Sequence, residues 1–165
     1  MKNNKLLIIL CTILAVLAIV IVILLFSIKS KETFKKPDFE SSVTEIPSDL
    51  DYQKSILNIL DGYSIYISPN PKILDNNYLK IDFLSIPTNE VYIKVRILDS
   101  EKNIIGETGL LKAGDYLEKV KLSRAVKVND NITYKIMGYD QNDYTSAGSV
   151  SLNTRIGEWW KRGFF

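Results

Sequence analysis

Residues Leu6 to Ile28 form an apolar run of 23 residues, fenced by Lys5 and Lys29. As a helix rising ~1.5 Å per residue, such a run is ~34 Å long, enough to cross a hydrocarbon layer of ~30 Å with some tilt. The polar side chains inside it are Thr12, Ser27 and the weakly polar Cys11. A helix satisfies every backbone amide internally, as a lipid environment demands. The spacing therefore predicts a transmembrane signal anchor over residues 6–28, behind a short cytoplasmic n-region, residues 1–5. A cleaved signal peptide has a shorter apolar core and a small-x-small site, whereas here the run ends in Phe26-Ser27-Ile28-Lys29-Ser30. Cys11 follows Leu10, not a small residue, and lies early in the run, which argues against a lipidation site.

The flanking charges pull in opposite directions. Lys2, Lys5 and the α-amino group precede the run, and Lys29, Lys31, Lys35 and Lys36 follow it. Lys and Arg counts alone favour a cytoplasmic C-terminal side. A tiny basic n-region running straight into an apolar helix is nonetheless the ordinary signal-anchor layout, and basic residues after the helix can rest among lipid headgroups. The expected topology is a single-pass membrane protein, N-terminus inside, domain outside.

Past Thr33 the chain has enough residues for one domain with a real core. The +2 formal charge of the whole chain rests on its first 33 residues, and the remainder is nearly balanced. With no basic stripe in the sequence, nucleic acid is not an expected partner. Histidine is absent and the single cysteine lies in the apolar run. His-based acid–base chemistry, Ser–His and Cys–His nucleophiles, His/Cys zinc sites and disulfides therefore drop out. No catalytic, cofactor-binding or metal-ligating residue is expected, and the protein is read as a non-enzyme. Asp61, Asp75, Asp99, Asp115, Asp130 and Asp140 fall where carboxylates build turns. Asp140-Gln141-Asn142-Asp143 lacks the glycine and terminal glutamate of a calcium loop.

Residues 29–48 carry Lys, Glu, Ser and two prolines and read as a tether. Residues 49–61 suggest a short helix, with Leu50, Ile56, Leu57 and Leu60 on one face and Gly62 as its stop. The rival reading is a hairpin turning at Asp61-Gly62. From Tyr63 onward the period is two. Val91, Ile93, Val95 and Ile97 alternate with Tyr92, Lys94 and Arg96, and similar alternation appears near residues 65, 81, 105, 119, 134 and 150. About seven strands at such spacing predict a mainly β chain, with a single antiparallel, immunoglobulin-like β-sandwich over residues 62–156. Without a Cys…Trp…Cys pattern it is not an antibody-type domain.

Gly62-Tyr63-Ser64-Ile65, then Pro87-Thr88-Asn89-Glu90-Val91-Tyr92-Ile93, then Glu107 to Asp115, and Ser146-Ala147-Gly148-Ser149-Val150 follow one another in an order that resembles small membrane-anchored or secreted proteins of low-GC Gram-positive bacteria. The resemblance implies an extracytoplasmic sandwich without catalytic activity and carries over no site residues.

Residues 157–165 form an aromatic and basic tail. Trp159, Trp160, Lys161, Arg162, Phe164 and Phe165 are the candidate contact residues, for the lipid bilayer or for another envelope protein. Gly157 and Gly163 are expected to let the tail swing free. The tail can equally close an open end of the sandwich. The expected function is a tethered interaction or scaffold module of an envelope, secretion or conjugation assembly. The alternative is a cell-wall glycan or small-ligand binding module, with Tyr139 and Tyr144 as stacking platforms.

Overall fold

The computed structural model describes residues 13–21, 36–60 and 62–157. Residues 13–21 are helical and lie inside the Leu6–Ile28 run, whose other residues fall outside the described ones. Among the described residues, no helix is long and apolar enough to cross a membrane. The remainder, from Pro37 onward, is a separate compact unit.

That unit is a sandwich of two antiparallel sheets with nine strands among the described residues. β1 (Leu57–Ile59), β2 (Tyr63–Tyr66), β4 (Tyr78–Ser85) and β3 (Lys72–Leu74) lie side by side in that order, and β7 (Tyr116–Lys121) also pairs with β4. The second sheet runs β6 (Ile104–Glu107), β5 (Val91–Leu98), β8 (Asn131–Asp140), β9 (Ser146–Arg155). The period-two pattern explains the packing. Ile65, Leu79, Ile81 and Phe83 from the first sheet meet Ile93, Val95, Ile97, Tyr134 and Ile136 from the second in one buried cluster. Two links tie the sheets at their edges. Gly106 bridges Leu122 on one side, and the Gly157 N–H donates to the Pro71 carbonyl on the other, at 2.8 Å.

Three expectations are corrected. The segment 49–61 is not a helix. It holds a 3-10 turn at Gln53–Ser55, then β1, which pairs with β2 as a hairpin in the register Leu57↔Ile65 and Ile59↔Tyr63. Gly62, at φ 95°, supplies the left-handed corner between them. The strands number nine rather than about seven, because β1 and β3 have only three residues each, too few to show a period. Gly157 is not a hinge: a β-carbon there would lie 1.9 Å from Asn70 Oδ1, so the backbone is pressed against its neighbour.

The later part of the expected tether is also pinned to the sandwich. The Asp38 carbonyl accepts the Leu110 N–H at 2.9 Å, the Glu40 N–H donates to the Leu110 carbonyl at 2.8 Å, and the Thr44 N–H donates to the Tyr116 carbonyl at 3.0 Å. Glu40 accepts the Gly109 N–H through its carboxylate. Burial alone would raise the pKa of this carboxyl, but hydrogen bonds from Ser42 and Gly109 outweigh it and hold it below the ordinary value. Ile46, Leu50, Tyr52 and Ile56 then cover Leu84, Ile86 and Tyr116 on the outer face of the first sheet. Residues 38–56 thus form a strap that gives this sheet a second, smaller core.

The pairing of β4 with β7 contains a bulge. Lys80 pairs with Lys119 and Phe83 with Leu117, so β4 carries one extra residue. Asp82 sits there at φ 42°, a conformation costing a non-glycine residue roughly 1–2 kcal/mol. Its carboxylate is held by the Tyr116 hydroxyl and by Lys80, which also pairs with Glu118 at 3.0 Å. Burial, reinforced by that hydrogen bond and the Asp82 charge, pushes the Tyr116 phenol well above its ordinary pKa, so it stays a donor. The bulge also breaks the alternation expected in β7: Leu117 and Val120, three residues apart, are both buried.

Candidate functional site

The inward residues of β5 and β8 fix what points outward. With Ile93, Val95 and Ile97 buried, Lys94, Arg96 and Leu98 lie on the outer face. With Ile132, Tyr134 and Ile136 buried, so do Asn131, Thr133, Lys135 and Met137. Register sets these side by side with β9: Arg96, Lys135 and Ser151 form one row, Leu98, Thr133 and Asn153 the next, and Asn131 faces Arg155. The face gathers Lys94, Arg96, Lys135, Lys102 and Arg155. Glu107 answers two of these, with its carboxylate 2.8 Å from Lys94 Nζ and 2.5 Å from Arg96 Nε. Burial opposes ionisation of Glu107, but the hydrogen bonds and charges of Lys94 and Arg96 hold its pKa below the ordinary value. Lys135, Lys102 and Arg155 form no ion pair among the described residues.

One end of this face is concave. An open groove of about 560 Å³ runs between the β5–β6 turn and the end of β9, lined by Ser100, Lys102, Asn131, Thr133, Asn153 and Arg155 among others. Lys102 Nζ donates to Thr133 Oγ1 at 3.2 Å, and Thr133 is in turn 2.9 Å from Asn153 Oδ1. Arg155 Nε donates to Asn131 Oδ1 at 3.4 Å.

The turn that carries Lys102 is built by Asp99. This carboxylate is nearly buried and accepts the backbone N–H groups of Glu101 and Asn103, both at 2.9 Å, and Arg124 Nη2 at 2.7 Å. Burial by itself would raise its pKa. The Asn103 backbone N–H, the Arg124 guanidinium and the other donors outweigh that and bring it down to about 2. The turn places Lys102 at φ 69° above the sheet. Asp115, Asp130 and Asp140 likewise accept nearby backbone N–H groups at 2.7–2.8 Å, the turn-forming role expected of them.

The opposite end of the face is aromatic. Tyr92 meets Phe39 of the strap edge-on, with centroids 5.0 Å apart, and stacks on Tyr144 at 5.8 Å. Lys112 Nζ lies 4.9 Å from the centre of the Phe39 ring. Tyr144 is held at φ 61° by a loop in which its N–H donates to the Asp140 carbonyl. One face of its ring is therefore already occupied. Tyr139 is half-buried beside Met137. Both tyrosines therefore also serve as packing residues at this end of the face.

The tail residues Trp159, Trp160, Lys161, Arg162, Phe164 and Phe165 lie outside the described residues. The basic face escaped sequence reasoning because its cations come from separate segments, each with ordinary charge alternation. Among the described residues, no group of three or more His, Cys, Asp or Glu side chains is arranged to hold a metal.

No family model matches the chain, and no curated protein matches it. Among solved structures, the chain is similar to part of a β-glucuronidase from Ruminococcus gnavus. The similarity is seen in its apo form at 20% identity and in its complex with uronic isofagomine at 18% identity, each with a TM-score of 0.37. The match covers 56% of this chain and 14–15% of the enzyme, so the chain spans about a seventh of that protein's length.

Proposed function

We propose that the chain is a membrane-tethered extracytoplasmic interaction module, non-catalytic, which presents an immunoglobulin-like sandwich to other components of an envelope, secretion or conjugation assembly. The supporting observation is the strap. It binds Asp38, Glu40 and Thr44 into the sandwich by backbone hydrogen bonds, so the folded unit begins only a few residues after the apolar run in the sequence. The tail, from Trp159 to Phe165, is part of the same proposal, as a contact for lipid or partner.

The cation-rich outer face favours a second reading, a ligand-binding module for envelope glycan. Photo-crosslinking in living cells tests the interaction role. A crosslinking residue replacing Lys135 on the basic face is expected to give a discrete protein adduct. The same residue replacing Lys121, on an exposed stretch of the other sheet, is expected to give none. If neither position, nor one replacing Trp159, gives an adduct, the interaction reading is wrong.

A further inference from the structure

We propose that the groove between Lys102 and Arg155 binds a linear phosphodiester-linked polyol or sugar chain, with two successive anionic groups on the two cations. The biological source of that ligand rests on the extracytoplasmic placement above; the chemistry of the groove does not. Lys102 and Arg155 are anchored through Thr133 and Asn131, same-face neighbours on β8 whose α-carbons are about 7 Å apart. Two cations that come from separate segments, the β5–β6 turn and the end of β9, and that rest on successive outward residues of β8, suit two charges of one chain.

Each cation spends one donor on its anchor and keeps the rest. The lysine ammonium has two more N–H donors, and the guanidinium keeps its terminal pair for a bidentate grip on phosphate. Between and beside them stand Ser100 and Asn153, hydroxyl and amide groups of the kind that hydrogen-bond to polyol hydroxyls. No carboxylate lines the groove to repel the chain. Nor does any aromatic ring, so a nucleobase has nothing to stack on, which separates this site from a single-stranded nucleic-acid channel. The groove is open along its length and concave, a shape for a chain and not for a bilayer plane. Asp99 acts as a positioning residue, since its hydrogen bonds hold the turn that carries Lys102.

The test uses the full chain in a neutral detergent and a fluorescent poly(glycerol phosphate) oligomer, read by anisotropy. Saturable binding is expected that weakens as salt rises from 50 to 200 mM. Lys102→Gln with Arg155→Gln is expected to weaken it at least tenfold. Lys119→Gln with Lys121→Gln, exposed cations of β7 on the other sheet, is expected to leave it within twofold. Thermal melting of each variant separates loss of fold from loss of binding, and Lys102→Arg is expected to retain most of the affinity. Three results would each overturn the proposal: no binding by the folded wild type, equal weakening by both double variants, or a single-stranded oligonucleotide or anionic mixed micelle competing as well as unlabelled polymer. The assay is blind to membrane orientation, so an inverted topology would refute the placement and leave this result standing.

Discussion

A fragment spanning residues 62–165 should fail to fold cooperatively, whereas residues 37–165 should melt in a single transition. The shorter fragment keeps every strand legible from the sequence, yet it lacks β1 and the strap. It thereby exposes Leu84 and Ile86, which are otherwise nearly inaccessible to water, and strips the cover from Tyr116. It also loses Val43, Ile46, Leu50, Tyr52, Ile56 and Ile59, all partly buried against the two cores. At about 1 kcal/mol for each half-buried side chain, the loss is roughly 6 kcal/mol, comparable with the whole stability of an ordinary domain. Near-UV circular dichroism and a thermal melt decide the matter, and equal midpoints for the two fragments would show that the strap is ornamental. A point substitution approaches the same contact. A β-carbon on Gly109 would fall 2.6 Å from the Glu40 nitrogen and 2.7 Å from the Phe39 carbonyl carbon. Gly109→Val should therefore lift the strap's first residues, at a cost of about 1–3 kcal/mol.

Asn89→Ala should lower stability by about 2–4 kcal/mol, read as a drop in the urea midpoint at unchanged slope. Asn89 is nearly buried at the turn between β4 and β5, and its amide closes a ring with the backbone of β2. Its Oδ1 accepts the Ser64 N–H at 2.8 Å, and its Nδ2 donates to the Ser64 carbonyl at 2.7 Å and to Ser85 Oγ at 3.1 Å. In effect a side chain plays the part of a missing strand residue. Truncating it leaves the Ser64 N–H without that partner, which costs more than a single exposed hydrogen bond. Asn89→Asp should be no better near neutral pH, because a buried carboxylate would then face the Ser64 carbonyl. An unchanged midpoint for Asn89→Ala would mean that water replaces the amide fully.

The strands that sequence made legible are those whose alternation is long and clean. Ile93, Val95 and Ile97 in β5 and Ile132, Tyr134 and Ile136 in β8 are buried as their period requires. Three features were hidden, each for a physical reason. The strap is polar in composition, and what docks it is backbone hydrogen bonding to Leu110 and Tyr116, which composition does not encode. The β4 bulge rests on a left-handed aspartate, Asp82, stabilised by a tyrosine 34 positions away. The basic face needs the register of β5, β8 and β9 before Arg96, Lys135 and Arg155 are seen to share one face. In the hairpin at Gly62, two local readings competed; cross-strand pairing of Leu57 with Ile65 decided against the helix.

The tether is the central claim, and thiol labelling from outside the cell tests it directly. Lys127, exposed in the turn before β8, becomes cysteine in a Cys11→Ser background, so that the new thiol is the only one. On intact cells with a permeabilised wall, a membrane-impermeant maleimide should label this position fully, and the labelled protein should stay with the membrane through alkaline extraction. Labelling only after lysis, or release of the protein by alkali, would contradict the account.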